Sequence, residues 1–312
     1  MEPILNVVLP VFAIIAVGYA AGRTGFMGSQ SVDILNTFVF FFALPALFFG
    51  TMSQIALDEV LNWRFIAVWS GGALATLGLA MAVGAFAFPN RSGALSLLGL
   101  CAMFSNAVYM GIPILQLAFG PEGLLPAIVV TVLTGTGFLS VGIVMLELDR
   151  DDGGGPVAVT ISAAKGVLRS PLVLSAGSGL LVSWSGIEVP EPFLNFCTIL
   201  GSVAGPTALF AIGLFMVGKP LRAGLLEVGW ITVLKLAFMP ALTYWLAYHV
   251  IPLEPLWAQS AVILAALPTG GLMFILSQRY GIYVQRATAS IMITTAISVV
   301  TLSALLVLMG LA

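Results

Sequence analysis

The stretch Phe104-Ser105-Asn106-Ala107-Val108-Tyr109-Met110-Gly111-Ile112-Pro113 constrains this chain more than any other. It lies inside an apolar run from about Ala94 to Phe119, long enough at ~1.5 Å per residue to cross a bilayer as a helix. A proline inside such a helix removes one backbone donor and crowds a carbonyl one turn earlier, so the helix must kink or open. Gly111 loosens the same turn, and Asn106 brings an amide to membrane depth. Irregular backbone at that depth is tolerated only when buried in protein or beside a watery cavity. Ala265-Ala266-Leu267-Pro268-Thr269-Gly270-Gly271 repeats the pattern in a second apolar run. Two interrupted membrane helices in corresponding halves of a chain point to a transporter's binding site.

Composition settles the class. Of 312 residues, 60% are hydrophobic and 8% charged, against about 25% charged in ordinary soluble domains. The chain is read as an integral membrane protein whose partners include the lipid bilayer. Its eleven basic residues are too few to form a phosphate-tracking patch, so no nucleic acid is expected. Catalysis is hard to build from this inventory. The apolar segments hold no Ser/His/Asp set, no paired carboxylates and no cluster of metal ligands. There is no Gly-x-x-x-x-Gly-Lys-[Ser/Thr] nucleotide loop either. The chain is therefore expected to be no enzyme, to carry no cofactor and to draw on no ATP. Cys101 and Cys197 lie in apolar segments and read as small core residues. The N-terminus has no basic region before its apolar run and reads as a first membrane helix rather than a cleaved signal.

Ten spans are expected, roughly 4–22, 32–52, 63–88, 95–119, 123–147, 165–185, 193–217, 225–250, 257–279 and 287–310. With the N-terminus outside, nine of the eleven Lys and Arg residues fall in cytoplasmic turns, Arg64 falls outside and Lys235 lies within a span. Positive residues in short loops set orientation, so both termini are placed outside. The polar, Gly-rich segment 149–164 reads as a flexible cytoplasmic linker. It separates a first five-helix repeat, 1–148, from a second, 165–312. Because five is odd, homologous halves must be inverted in the membrane. Leu44-Pro45-Ala46-Leu47-Phe48 resembles Gly205-Pro206-Thr207-Ala208-Leu209-Phe210, and Pro113 is matched with Pro268.

Polar groups at membrane depth are few. Asn106 either satisfies backbone freed by the break or binds a solute, and the shared position favours binding. The half-helix after Gly111-Ile112-Pro113 would present bare N–H groups, a partly positive end suited to an anion. Thr269, Gly270 and Gly271 after Pro268 repeat the logic, with tight helix crossing through small residues as the bland alternative. Lys235 is an intramembrane ionisable group and thus a functional candidate. Three readings compete: it neutralises an anionic substrate, it takes the place of a coupling cation near half-helix carbonyls, or it snorkels to the edge. Asn36, Gln116, Asn195 and Gln259 are weaker candidates, each more often a helix–helix hydrogen bond, and His249 reads as interfacial. The expected substrate-binding set is Asn106, Gly111, Ile112, Pro113, Pro268, Thr269, Gly270 and Lys235, with no metal.

These motifs resemble the auxin efflux carrier family. The residues that carry the likeness are Asn36 with Leu44-Pro45-Ala46-Leu47, Asn106 with Met110-Gly111-Ile112-Pro113-Ile114-Leu115, Leu209 with Gly213-Leu214-Phe215-Met216, and Ala265-Ala266-Leu267-Pro268. The resemblance implies an all-α fold of ten transmembrane helices in two inverted five-helix repeats, with spans 4 and 9 broken and crossed at their prolines. Such a fold is shared with bile-acid symporters and sodium/proton antiporters. It implies a scaffold of spans 1, 2, 6 and 7 and a transport domain of spans 3–5 and 8–10. At the crossing, where Asn106, Pro113 and Pro268 match the family pattern, a carboxylate is expected. The chain lacks the long central loop of the plant members, and its short linker fits bacterial carriers of small organic acids in the inner membrane. The expected function is secondary active transport of small organic anions by an elevator-type mechanism. A sodium-coupled symporter of the bile-acid type, and a channel or sensor on the same fold, stand as alternatives. A proton or sodium ion and a homodimer are left open.

Overall fold

The computed structural model describes residues 4–28, 30–55, 61–88, 92–148, 168–219 and 224–310. The linker 149–164 and the basic residues Arg91, Arg150, Lys165 and Arg222, which the orientation reading uses, lie outside the described residues. Every described element is helical. Among the described residues, seven stretches are long and apolar enough to cross a membrane, including α1 (Asn6–Arg23), α2 (Gln30–Met52), α3 (Trp63–Ala87), α9 (Glu191–Met216), α10 (Leu225–Val250) and α13 (Val284–Leu308). The seventh, Ala107–Glu147, turns at Gly120, whose φ of 67° needs a residue without a Cβ. The chain then folds back, and Gly123 lies against the Leu115 carbonyl. That stretch contains α5 (Ile112–Phe119), α6 (Leu124–Val132) and α7 (Leu139–Leu148). Three shorter apolar helices complete the set: α4 (Ser92–Met103), α8 (Pro171–Ser185) and α11 (Pro255–Ala266). After α11 the chain opens and resumes as α12 (Leu272–Tyr280).

Glycine decides how closely these helices meet. A Cβ on Gly18 of α1 would overlap the Phe210 carbonyl of α9, and one on Gly213 would overlap the Ile15 carbonyl of α1. Small residues of this kind let membrane helices approach backbone to backbone. Gly179 of α8 sits the same way on Phe49 of α2, and Gly201 of α9 sits on Leu47 of α2. Thus α1, α2, α8 and α9 form one group. The other helices pack around α3, α4 and α11. Gly99 lets α4 press on Leu77 and Met81 of α3. The fully buried Trp69 meets Phe138 edge-on at 5.8 Å, and Phe65 meets Trp257 at 4.8 Å.

Four prolines are carried by wide turns that let the helix run on past them. Wide turns at Ile4–Val8, Val39–Ala43, Ala107–Gly111 and Leu234–Phe238 each end just before a helix whose second residue is proline: Pro10, Pro45, Pro113 and Pro240. Shifting the hydrogen bonds to i→i+5 moves the carbonyl that the proline ring would strike and spares the donor that it lacks. Gly111 and the N–H of Ile112 accordingly bond back to the Asn106 and Ala107 carbonyls. Expected to open its helix, Pro113 instead starts α5.

Candidate functional site

The opening in the first broken helix falls at Phe104-Ser105-Asn106, between α4 and the wide turn at Ala107. The second falls at Leu267–Gly271, where Leu267 is extended at ψ 151°, as a residue before proline prefers. The two openings pair with each other. Asn106 N–H donates to the Pro268 carbonyl at 2.9 Å, and Gly270 N–H donates to the Phe104 carbonyl at 2.9 Å. Ser105 and Thr269 therefore face one another across an isolated antiparallel bridge. Each opened segment satisfies the backbone that the other leaves bare, the condition for irregular chain at this depth. The expectation that the helices cross at Pro113 and Pro268 holds only for Pro268. Pro113 packs on Gly205 of α9 instead, with 3.3 Å from its Cβ to the position a Gly205 Cβ would take.

Behind the bridge, Thr269 is fully buried. Its hydroxyl donates to the Cys101 carbonyl at 2.8 Å, and its N–H donates to the Thr294 hydroxyl at 3.1 Å. Lys235, also fully buried, donates from Nζ to the carbonyl of Ala265, in the last turn of α11, and lies 3.4 Å from Met239 Sδ. Among the described residues no carboxylate pairs with it. Its Nζ thus lies at one main-chain carbonyl near the end of α11, just before the second opening. Glu227 is engaged elsewhere, 3.1 Å from Arg286 and accepting from the Tyr283 hydroxyl at 2.8 Å.

In front of the bridge lies a cavity of about 500 Å³ between the two helix groups. One wall comes from α2 and α9, through Asn36, Phe40, Ala211 and Phe215. The other comes from the crossing and from α6, through Ser105, Asn106, Tyr109, Thr131 and Gly270. Both second half-helices begin on it: Val108 and Tyr109 follow one opening, and Gly271 and Leu272 follow the other. The first N–H groups of a helix have no partner inside it. Three polar atoms on the lining, Asn36 Oδ1, Ser105 Oγ and Thr131 Oγ1, are buried with no hydrogen-bond partner. Buried polar atoms in native proteins are normally paired, and these three share one cavity. Among the described lining residues, Asp33 is charged and none is basic.

Of the expected site residues, the cavity brings together Asn106 and Gly270. Pro268, Thr269 and Lys235 support the crossing from behind, while Gly111, Ile112 and Pro113 are buried outside the lining. Asn36 is on the lining, but Gln116 and Asn195 are exposed elsewhere. Sequence reasoning did not select Thr131. Threonine is unremarkable in an apolar helix, and its place shows only once α6 is seen beside the crossing.

A family described as "Membrane transport protein" matches residues 3–154 and 155–306, nearly the whole chain in two successive segments. The chain belongs to the auxin efflux carrier family. It is a membrane transporter and not an enzyme. Among relatives of this transporter, a protein of Rhizobium meliloti named "Putative malonate transporter" is 32% identical over 308 residues, covering 99% of this chain and 96% of the relative. An uncharacterized transporter of Methanocaldococcus jannaschii is 24% identical over 311 residues, 96% of each chain. The lysosomal cholesterol signaling protein of Mus musculus is 28% identical over 222 residues, 68% of this transporter and 26% of that larger protein.

Proposed function

We propose that this transporter carries small carboxylates down or against their gradients by alternating access. The single observation behind this reading is the cavity at the crossing, where Asn106, orphaned hydroxyls and two half-helix starts converge. A carboxylate presents several acceptor lone pairs, which suit hydroxyl and amide donors and bare N–H groups. The name of the Rhizobium relative supports an organic acid as cargo.

In this reading the chain makes ten crossings in two inverted halves, 1–148 and 165–312, joined by the linker 149–164. The glycine-locked group α1, α2, α8 and α9 serves as scaffold. The remaining helices form a transport domain that shifts against it like an elevator, carrying the crossing and its solute. With both termini outside a bacterial inner membrane, the Asp33, Ser170 and Gln278 end of the cavity faces the cytoplasm. Asn106→Ala tests the proposal in proteoliposome counterflow against a panel of mono- and dicarboxylates. Loss of saturable exchange, with monodisperse folded protein retained, is the expected result. Wild-type exchange by the variant, or flux at channel rates by the parent, would contradict it.

A further inference from the structure

Beside the cavity, away from the bridge, the two helix groups touch through aromatic rings. Phe215 of α9 meets Phe274 of α12 edge-on, with centroids 4.9 Å apart, and both residues line the cavity. Lys219 closes over this pair. Gly218, at φ 70°, turns the chain back after α9 in a conformation that favours a residue without a Cβ. The Lys219 Nζ then lies 5.1 Å from the Phe215 centroid and 4.9 Å from that of Phe274, within the ~6 Å reach of a ring face for a cation. The end of α9 carries a partial negative charge and suits the same ammonium.

Neutral rings hold an ammonium in place without neutralising it. No carboxylate pairs with Lys219 among the described residues, so an arriving anion can join it through a charge-assisted hydrogen bond with no ion pair to break first. On the lining itself the charged residue is Asp33, whose sign turns an anion away. Arg169 and Arg279 adjoin the lining residues Ser170 and Gln278 in sequence, but both are exposed, where salt screens a charge heavily. Resting on the carrier reading, we propose that Lys219 is the recruiting residue of this transporter: it receives the anionic solute at the edge of the cavity and passes it inward, past Phe215 and Phe274, toward the crossing. A charge at the rim of a site acts on arrival rate and on salt dependence, and a cleft focuses such a field. Lys219 therefore sets the concentration needed for half-saturation and leaves maximal exchange to the crossing.

Lys219→Met keeps an apolar stem on the two rings and removes the charge. It is compared with the parent in proteoliposome counterflow of radiolabelled malonate and succinate, with about 10 mM or about 100 mM potassium chloride on both sides, where screening lengths are ~30 Å and ~10 Å. At low salt the variant should half-saturate at roughly tenfold higher concentration, with maximal exchange within about twofold of the parent. At high salt the gap should shrink to about threefold or less. Lys219→Arg should restore the parent values, and Arg64→Gln, which removes a charge at the opposite membrane face in the proposed orientation, should match the parent. If Lys219→Met does not fold, Lys219→Gln carries the same comparison; if neither neutral variant folds, the residue serves structure and the recruiting role is overturned. Parent-like half-saturation and salt response in the neutral variant, a fall in maximal exchange alone, or no rescue by Lys219→Arg would also overturn it and leave the carrier reading standing. If the parent exchanges neither acid nor any other carboxylate, the carrier reading falls and takes the recruiting role with it.

Discussion

The hydroxyl of Thr269 donates to the carbonyl of Cys101 at 2.8 Å, tying the second opening to the last turn of α4. Thr269→Val keeps the shape and leaves that buried carbonyl bare. An unsatisfied buried group costs about 1–3 kcal/mol, so the valine variant should melt measurably lower in detergent, while Thr269→Ser should stay near the parent. Equal melting of all three would deny the hydroxyl a structural role.

Ser105 and Thr131 should behave in the opposite way. Their hydroxyls have no partner to lose, so Ser105→Ala and Thr131→Val should melt at or above the parent temperature. Each would instead remove a donor from a bound solute, and one hydrogen bond is worth about 1 kcal/mol net. The expected result is a roughly fivefold higher half-saturating substrate concentration in counterflow. A variant that melts lower with unchanged half-saturation would mean the hydroxyl serves the fold.

The two prolines once paired by sequence should separate under mutation. Pro113 sits at the second position of α5 after a wide turn, where its missing donor is least costly. Pro113→Ala should retain transport, with stability changed by no more than about 1 kcal/mol. Pro268→Ala should let α11 extend into the opening and pull the Asn106 and Gly270 hydrogen bonds apart. Its uptake should vanish even where the protein remains folded by gel filtration.

That contrast shows what residues alone convey. The apolar runs made the helices plain, because nothing else can satisfy the backbone inside lipid. Pro268 was legible as an opening since Leu267 before it is driven to extended backbone. Pro113 misled, because a wide turn can absorb a proline and the turn leaves no residue signature. The true first opening, at Phe104–Asn106, contains no breaker; it is held by partners at Pro268 and Gly270, some 160 residues onward. Lys235 stood out as a charge in a span, but its partner is a main-chain carbonyl, which no side-chain pattern announces.

Gly213→Ala should be far worse than most glycine replacements. Its new methyl would meet the Ile15 carbonyl and the backbone of Gly18 and Tyr19, so α1 and α9 must part. A loss of about 3 kcal/mol or more is expected from overpacking main chain, seen as a sharp fall in monodisperse yield and melting temperature. Gly177→Ala on α8 meets nothing within 4 Å and should be neutral or slightly stabilising, a control for the helix gain of about 0.5–1 kcal/mol that alanine brings.

The Gly18–Gly213 contact has a mechanical corollary. Where two helices touch through bare main chain, a slip of one residue along either axis would drive Tyr19 or Leu214 into the opposing backbone. The joint is consequently a welded seam, with no sliding surface in it. In the proposed elevator movement, displacement therefore falls at softer boundaries, where side chains can change rotamer, such as the walls of the cavity.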